Sequence, residues 1–150
     1  MKNHKGLSLV ELMIIIAIIG ILLSVAIPQW QKYTRNSELK TAAREIAGDF
    51  FNMKQRAVGE TANYRIEFDT NNNSYVMKNA DTSSVIGTRN LSDYGAGITI
   101  SGITFSGHAV DFYSRGTAES GHLDLRNSIG STATITVNIT GRTHVSFTMQ

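Results

Sequence analysis

At 150 residues and a formal net charge of +2, the chain has room for one modest domain plus a membrane element. It contains no cysteine, which excludes a disulfide framework and any thiolate metal centre. The weak positive charge is spread along the chain, and nothing in it demands nucleic acid. The first predicted element is an apolar run from Leu7 to Ile27, preceded by a basic stub of Lys2, His4 and Lys5. Its twenty-one residues would form a helix of about 31 Å, the hydrocarbon thickness of a bilayer. About fourteen Leu, Ile and Val residues favour insertion by up to about 6 kcal/mol, against about 3 kcal/mol for one acid at mid-helix. Insertion wins, and the basic stub holds the N-terminus in the cytoplasm.

The acid is Glu11, the only charge in the run. A carboxylate near the membrane edge can snorkel or take a proton and have no further role. It can also await a cation, and no Lys, Arg or His lies within the run to supply one. Were the chain cut after Gly6, the new α-amine of Leu7 would be such a cation, on this chain or on a neighbouring copy. A charge answered only by another subunit would set the axial register of stacked helices. A competing expectation is a discarded secretory signal, since Ser24-Val25-Ala26 has the small-x-small form of a cleavage site. Against it, the run is longer than an ordinary signal core and carries an acid.

The stretch KGLSLVELMIIIAIIGILLSVAIP, residues 5–28, resembles the class III signal of type IV pilins and type II secretion pseudopilins. The resemblance implies that Gly6 precedes the peptidase cut, that Leu7 becomes an N-methylated terminus and that Glu11 is the assembly glutamate. Leucine stands here where the family most often has phenylalanine. Gly20 and Pro28 match the family's helix-breaking pair, so by resemblance Gly20–Pro28 is where helical structure would be lost in a filament. Pro28 lacks an N–H and should kink the helix. Gly20 and Ser24 form a small face that suits close helix approach.

Beyond Pro28 the helical pattern resumes. Leu39, Ala43, Ile46, Phe50, Met53 and Ala57 follow a 4-3-4-3-4 spacing, one apolar stripe, with Lys32, Arg35, Glu38, Lys40, Arg44, Glu45, Asp49 and Lys54 placed off it. Trp30 and Tyr33 sit where aromatic rings favour a membrane interface. A helix from Leu7 to Val58 would be about 78 Å long. From Tyr64 the period becomes two: Tyr64, Ile66 and Phe68 alternate, and Asp69–Asn73 reads as a turn into Ser74–Lys78. Further strands are predicted at Ser84–Thr88, Ile98–Phe105, Ala109–Tyr113, His122–Leu125, Ala133–Ile139 and His144–Met149. One long helix across antiparallel sheets is an α+β architecture.

The motifs Phe112-Tyr113-Ser114-Arg115-Gly116, Gly121-His122-Leu123-Asp124-Leu125 and Asn138-Ile139-Thr140-Gly141-Arg142 resemble the H-type minor pseudopilins of type II secretion. That resemblance implies a pilin-like fold in four segments: a leader over 1–6, a transmembrane assembly helix over 7–28, its amphipathic continuation over 29–58, and a periplasmic β domain over 59–150. It implies a single-pass inner-membrane protein. Its partners would be other pseudopilins or pilins, the prepilin peptidase, an inner-membrane assembly platform and secreted cargo.

Chemistry of other kinds is thinly represented. His4, His108, His122 and His144 share no metal-ligand spacing. Asp69-Thr-Asn-Asn-Asn73 opens like a calcium loop, but Ser74 and Ala80 stand where glycine and glutamate belong. Ser114 has no evident base. The chain therefore reads as a non-enzyme with no cofactor. Three functions remain: a minor pseudopilin of type II secretion, a minor pilin for pilus priming or DNA uptake, and a non-assembling anchored or secreted β domain. Some pilin relatives bind DNA through a Gly-Arg-x-Arg motif. Arg142 is the candidate contact here, but His144 replaces the second arginine, and one cation adds little phosphate affinity.

Overall fold

The computed structural model describes residues 9–150. Gly6, Leu7 and the basic stub lie outside the described residues. The chain divides into two units, one ending at Thr34 and one of Arg35–Gln150. Helix α1 is Leu9–Gly59, followed by eight strands: β1 Tyr64–Asp69, β2 Ser74–Asn79, β3 Val85–Asn90, β4 Thr99–Ile103, β5 Ala109–Phe112, β6 Gly121–Arg126, β7 Thr132–Val137 and β8 Thr143–Thr148. They form two antiparallel four-stranded sheets, ordered β3-β2-β1-β5 and β4-β6-β7-β8.

The helical stripe is the floor of the second unit. Leu39, Ala43, Ile46, Phe50 and Ala57 are fully buried and Met53 nearly so. Phe50 sits at the centre, with ring centroids 6.1 Å from Phe68, 6.3 Å from Phe105 and 5.9 Å from Phe112. The inward positions of the strands complete the core: Tyr64 and Ile66 of β1, Leu123 and Leu125 of β6, Ala133, Ile135 and Val137 of β7. Period two in the sequence thus becomes one buried and one wetter face on each sheet. The fold is one long N-terminal helix packed against a C-terminal antiparallel β domain, as the sequence pattern implies.

The structure revises the sequence reading at three points. Asp49, placed off the stripe, is buried within it, because position 49 lies three residues past Ile46 and four before Met53. Its carboxylate accepts a hydrogen bond from the Tyr75 hydroxyl at 2.7 Å and lies 3.8 Å from Arg89 Nε. Burial pushes the Tyr75 hydroxyl well above its ordinary range, and the neighbouring Tyr94 hydroxyl and the Asp49 carboxylate push it the same way. Strand β7 ends at Val137, two residues early, because Asn138 closes a turn: its N–H donates to the Arg142 carbonyl at 3.1 Å. Strand β4 is shorter than expected and carries a bulge between Ile100 and Gly102.

Two glycines are required by geometry. A Cβ at Gly95 would sit within 2.7 Å of the Glu38 side chain, so only glycine lets that loop lie against α1. Gly141 has φ +66°, and its Cβ would meet Lys54 Cδ at 2.9 Å. Lys54 Nζ also donates to the Thr140 carbonyl at 2.9 Å, so the β7–β8 turn is latched to the helix.

Candidate functional site: an apolar helix with one acid

The candidate site is the first unit's stretch of α1. Its most apolar 18 residues reach a mean hydropathy of 2.9, and none of that surface is buried. A water-soluble domain would have covered such a face, so the helix is built for a non-aqueous or protein environment. Glu11 lies in the first described turn, exposed among Leu9, Val10, Leu12 and Met13. Among the described residues of this unit, the cation is Lys32, twenty-one positions on and about 31 Å along the axis. Glu11 therefore has no counter-charge within reach on its own described helix.

Gly20 and Pro28 both lie within α1, and the residues between them are helical. The loss of helical structure expected of Gly20–Pro28 belongs to a filament; in this single chain the segment is helical. Pro28 withdraws the N–H that the Ser24 carbonyl would accept, and a bare helix gains nothing by opening further bonds. Ser24 turns its hydroxyl onto the Ile21 carbonyl at 2.7 Å. A Cβ at Gly20 would meet nothing within 4 Å, so its notch is open to a neighbour. Trp30 and Tyr33, about seven-tenths exposed with ring centroids 6.4 Å apart, end the apolar stretch.

Arg142 stands at the far end of the β7–β8 turn, exposed. It lines a shallow cavity of about 460 Å³ with Phe51, Lys54 and Thr143. His144, in the place of a second arginine, lies two residues on, with exposed Thr136 as its β7 register partner. His122 holds Thr104 Oγ1 at 3.2 Å through Nδ1. The Asp69–Asn73 stretch is a turn in which Asp69 Oδ1 accepts from the N–H groups of Asn71 and Asn72. Sequence reasoning missed Asn127, a buried side chain that ties the β6–β7 turn to the Arg35 carbonyl of α1. Its only signal was an Asn-Ser-Ile-Gly turn at residues 127–130.

Residues 1–27 match the family model for the prokaryotic N-terminal methylation motif. A fimbrial protein of Pseudomonas aeruginosa is 51% identical over 47 residues, 31% of this chain and 30% of that protein, so the chain spans under a third of that relative's length. The fimbrial protein EcpC of Eikenella corrodens is 32% identical over 112 residues, covering 69% of this chain and 72% of that one. Among solved structures, the minor pseudopilin EpsH from the Type 2 Secretion System of Vibrio cholerae matches with TM-score 0.61 at 12% identity, over 73% of this chain and 96% of that one. The type IV minor pilin FimU of Pseudomonas aeruginosa matches with TM-score 0.59 at 14% identity, over 76% and 92%. At such identities the two structures speak to fold. With the methylation motif, the sequence relatives and the shared architecture in agreement, the chain belongs to the type IV pilin-like superfamily.

Proposed function

We propose that the chain is a minor subunit of a periplasmic filament, with its helix in the inner membrane until assembly and the β domain outside. Cleavage between Gly6 and Leu7 by the prepilin peptidase frees an α-amine, which is then methylated. In the filament, Glu11 of one copy meets the Leu7 amine of a neighbour. Both charges sit in an apolar surround, where an unpaired carboxylate is costly and a paired one fixes register. Gly20–Pro28 is the segment that would give up helical bonds as neighbours pack around it. The observation supporting this reading is Glu11 itself, a lone acid on a fully exposed apolar helix. Within this frame we assign the chain to the minor pseudopilins of type II secretion, acting at or near the tip with an assembly platform and secreted cargo as partners. The EpsH fold match and the three C-terminal motifs favour that assignment. On this reading the chain is structural rather than catalytic and takes no cofactor.

A second reading, a minor pilin of type IV pili, is favoured by the FimU fold and the fimbrial sequence relatives. Both readings share the same N-terminal physics. DNA uptake through Arg142 is the weaker form of it, since a single exposed guanidinium supplies little phosphate affinity. The test is Glu11→Ala. Membrane insertion should be unchanged, because removing the acid only favours partitioning, while incorporation into the filament and secretion of cargo should fall. Normal incorporation by that variant contradicts the mechanism.

A further inference from the structure

The β domain has an open ladder edge with a groove beside it. Strand β3 pairs with β2 on one side only, and its residues are almost all exposed, including Val85 at 61% and Ile86 at 37%. The register joins Tyr75 to Arg89, Val76 to Thr88 and Met77 to Gly87, and the Leu91 N–H donates to the Asn73 carbonyl. By antiparallel alternation, Arg89 and Gly87 turn their backbone groups to β2, whereas Thr88 turns both of its groups and Asn90 its N–H to the open edge, the Asn90 carbonyl serving the 3-10 turn Leu91–Asp93. On the inner face Gly87 has no side chain, and Met77 Cε closes over it, 3.3 Å from where a Cβ would stand. Beside them a cavity of about 590 Å³ lies between β3 and α1, lined by Asp49, Met53, Arg56, Met77, Gly87 and Arg89.

The charge in this groove has one accessible sign. Asp49 is buried and held by Tyr75. Arg56 commits Nε to Glu60 at 3.0 Å, and Arg89 leans its Nε toward Asp49 at 3.8 Å. Their side chains are 43% and 50% exposed, so terminal guanidinium nitrogens remain on both walls to receive carboxylates. The β8 edge of the other sheet differs. There β8 turns Val145 and Phe147 onto the core and shows His144, Ser146 and Thr148 outward.

We propose that β3 is a strand-addition site for an extended segment of a partner protein, with an apolar side chain in the cavity against Met77 and Met53 and acidic side chains two residues to either side reaching Arg56 and Arg89. The partner strand bonds to the N–H and carbonyl of Thr88 and to the N–H of Asn90, and alternate side chains supply the specificity. This inference concerns the β domain alone and stands whether or not the filament reading holds.

The test uses the full chain in detergent micelles and a labelled heptapeptide Thr-Glu-Thr-Val-Thr-Glu-Thr, read by fluorescence anisotropy and amide hydrogen exchange. The expected result is saturable binding, with new protection at the Thr88 and Asn90 amides. Thr88→Pro deletes an edge N–H that serves no ladder bond, so it should keep the thermal midpoint while weakening binding at least about tenfold. Replacing both peptide glutamates by lysine should weaken binding by a similar factor, and Arg89→Glu should reverse that preference. No binding up to about 1 mM peptide, or equal binding by the folded Thr88→Pro variant, overturns the proposal. Concentration-dependent protection of Thr88 and Asn90 without peptide overturns it too, by making a second copy of the chain the occupant.

Discussion

Asn127 is 5% exposed and uses its whole side chain. Nδ2 donates to the Arg35 carbonyl at 3.2 Å and to Asn36 Oδ1 at 3.1 Å, while Oδ1 accepts from the Ile129 and Ser131 N–H groups at 3.2 and 2.9 Å. Asn127→Ala leaves those groups unanswered in a buried place and should destabilise the domain by about 2–3 kcal/mol. Asn138 does similar work in the open, accepting from the Thr140 and Arg142 N–H groups at 3.2 and 2.9 Å. Water can replace its carbonyl, so Asn138→Ala should lose only about 1 kcal/mol. Chemical denaturation of the full chain in detergent distinguishes the two; equal losses would show that burial is not what sets their weights. Neither role was legible in sequence, since asparagine before a glycine turn marks the turn but not what its side chain reaches. Glu11 was legible for the opposite reason: one charge in an apolar run is conspicuous without any coordinates.

At the scale of elements, α1 carries neighbouring phenylalanines with opposite surroundings. Phe50 is fully buried against three aromatic rings, whereas Phe51 is 57% exposed. Phe50→Ala should destabilise the β domain by about 3–5 kcal/mol, and Phe51→Ala by under about 0.5 kcal/mol. Similar thermal midpoints for the two variants would show that the stripe does not anchor the domain. The 4-3-4-3-4 spacing predicted this contrast, because helical period alone separates positions 50 and 51 by about 100°. It could not place Asp49, because a charged residue on a buried stripe is tolerated only where a partner such as Tyr75 arrives from a distant strand. The strands were legible for a related reason. Alternation and turn residues are local, so β1, β2 and β6 fall within a residue or two of their expected bounds, while the sheet order β3-β2-β1-β5 is set by contacts that no local pattern encodes.

At the scale of the molecule, three surface carboxylates are held in their ionised form by hydrogen bonds of the fold. The Asn72 side-chain amide, with backbone N–H groups, holds Asp69 below its ordinary range. The Asn63 backbone and side chain do the same for Asp81, and the Tyr64 hydroxyl with Arg56 for Glu60. A carboxyl whose folded pKa is depressed adds stability that is fully present above its unfolded value and is lost as pH falls through the folded one. The thermal midpoint should therefore hold from about pH 7 to about pH 5 and decline below about pH 4. A decline already complete at pH 5 would contradict these assignments.

If the apolar helix packs in a filament as proposed, the working protein keeps that helix and loses only its leader. Intact mass spectrometry of the membrane-extracted chain reads this directly. The predicted species begins at Leu7 and carries one added methyl group. A species beginning at Met1 would mean that no amine is freed to answer Glu11, and one beginning at Ile27 would mean that the helix is discarded; either contradicts the account.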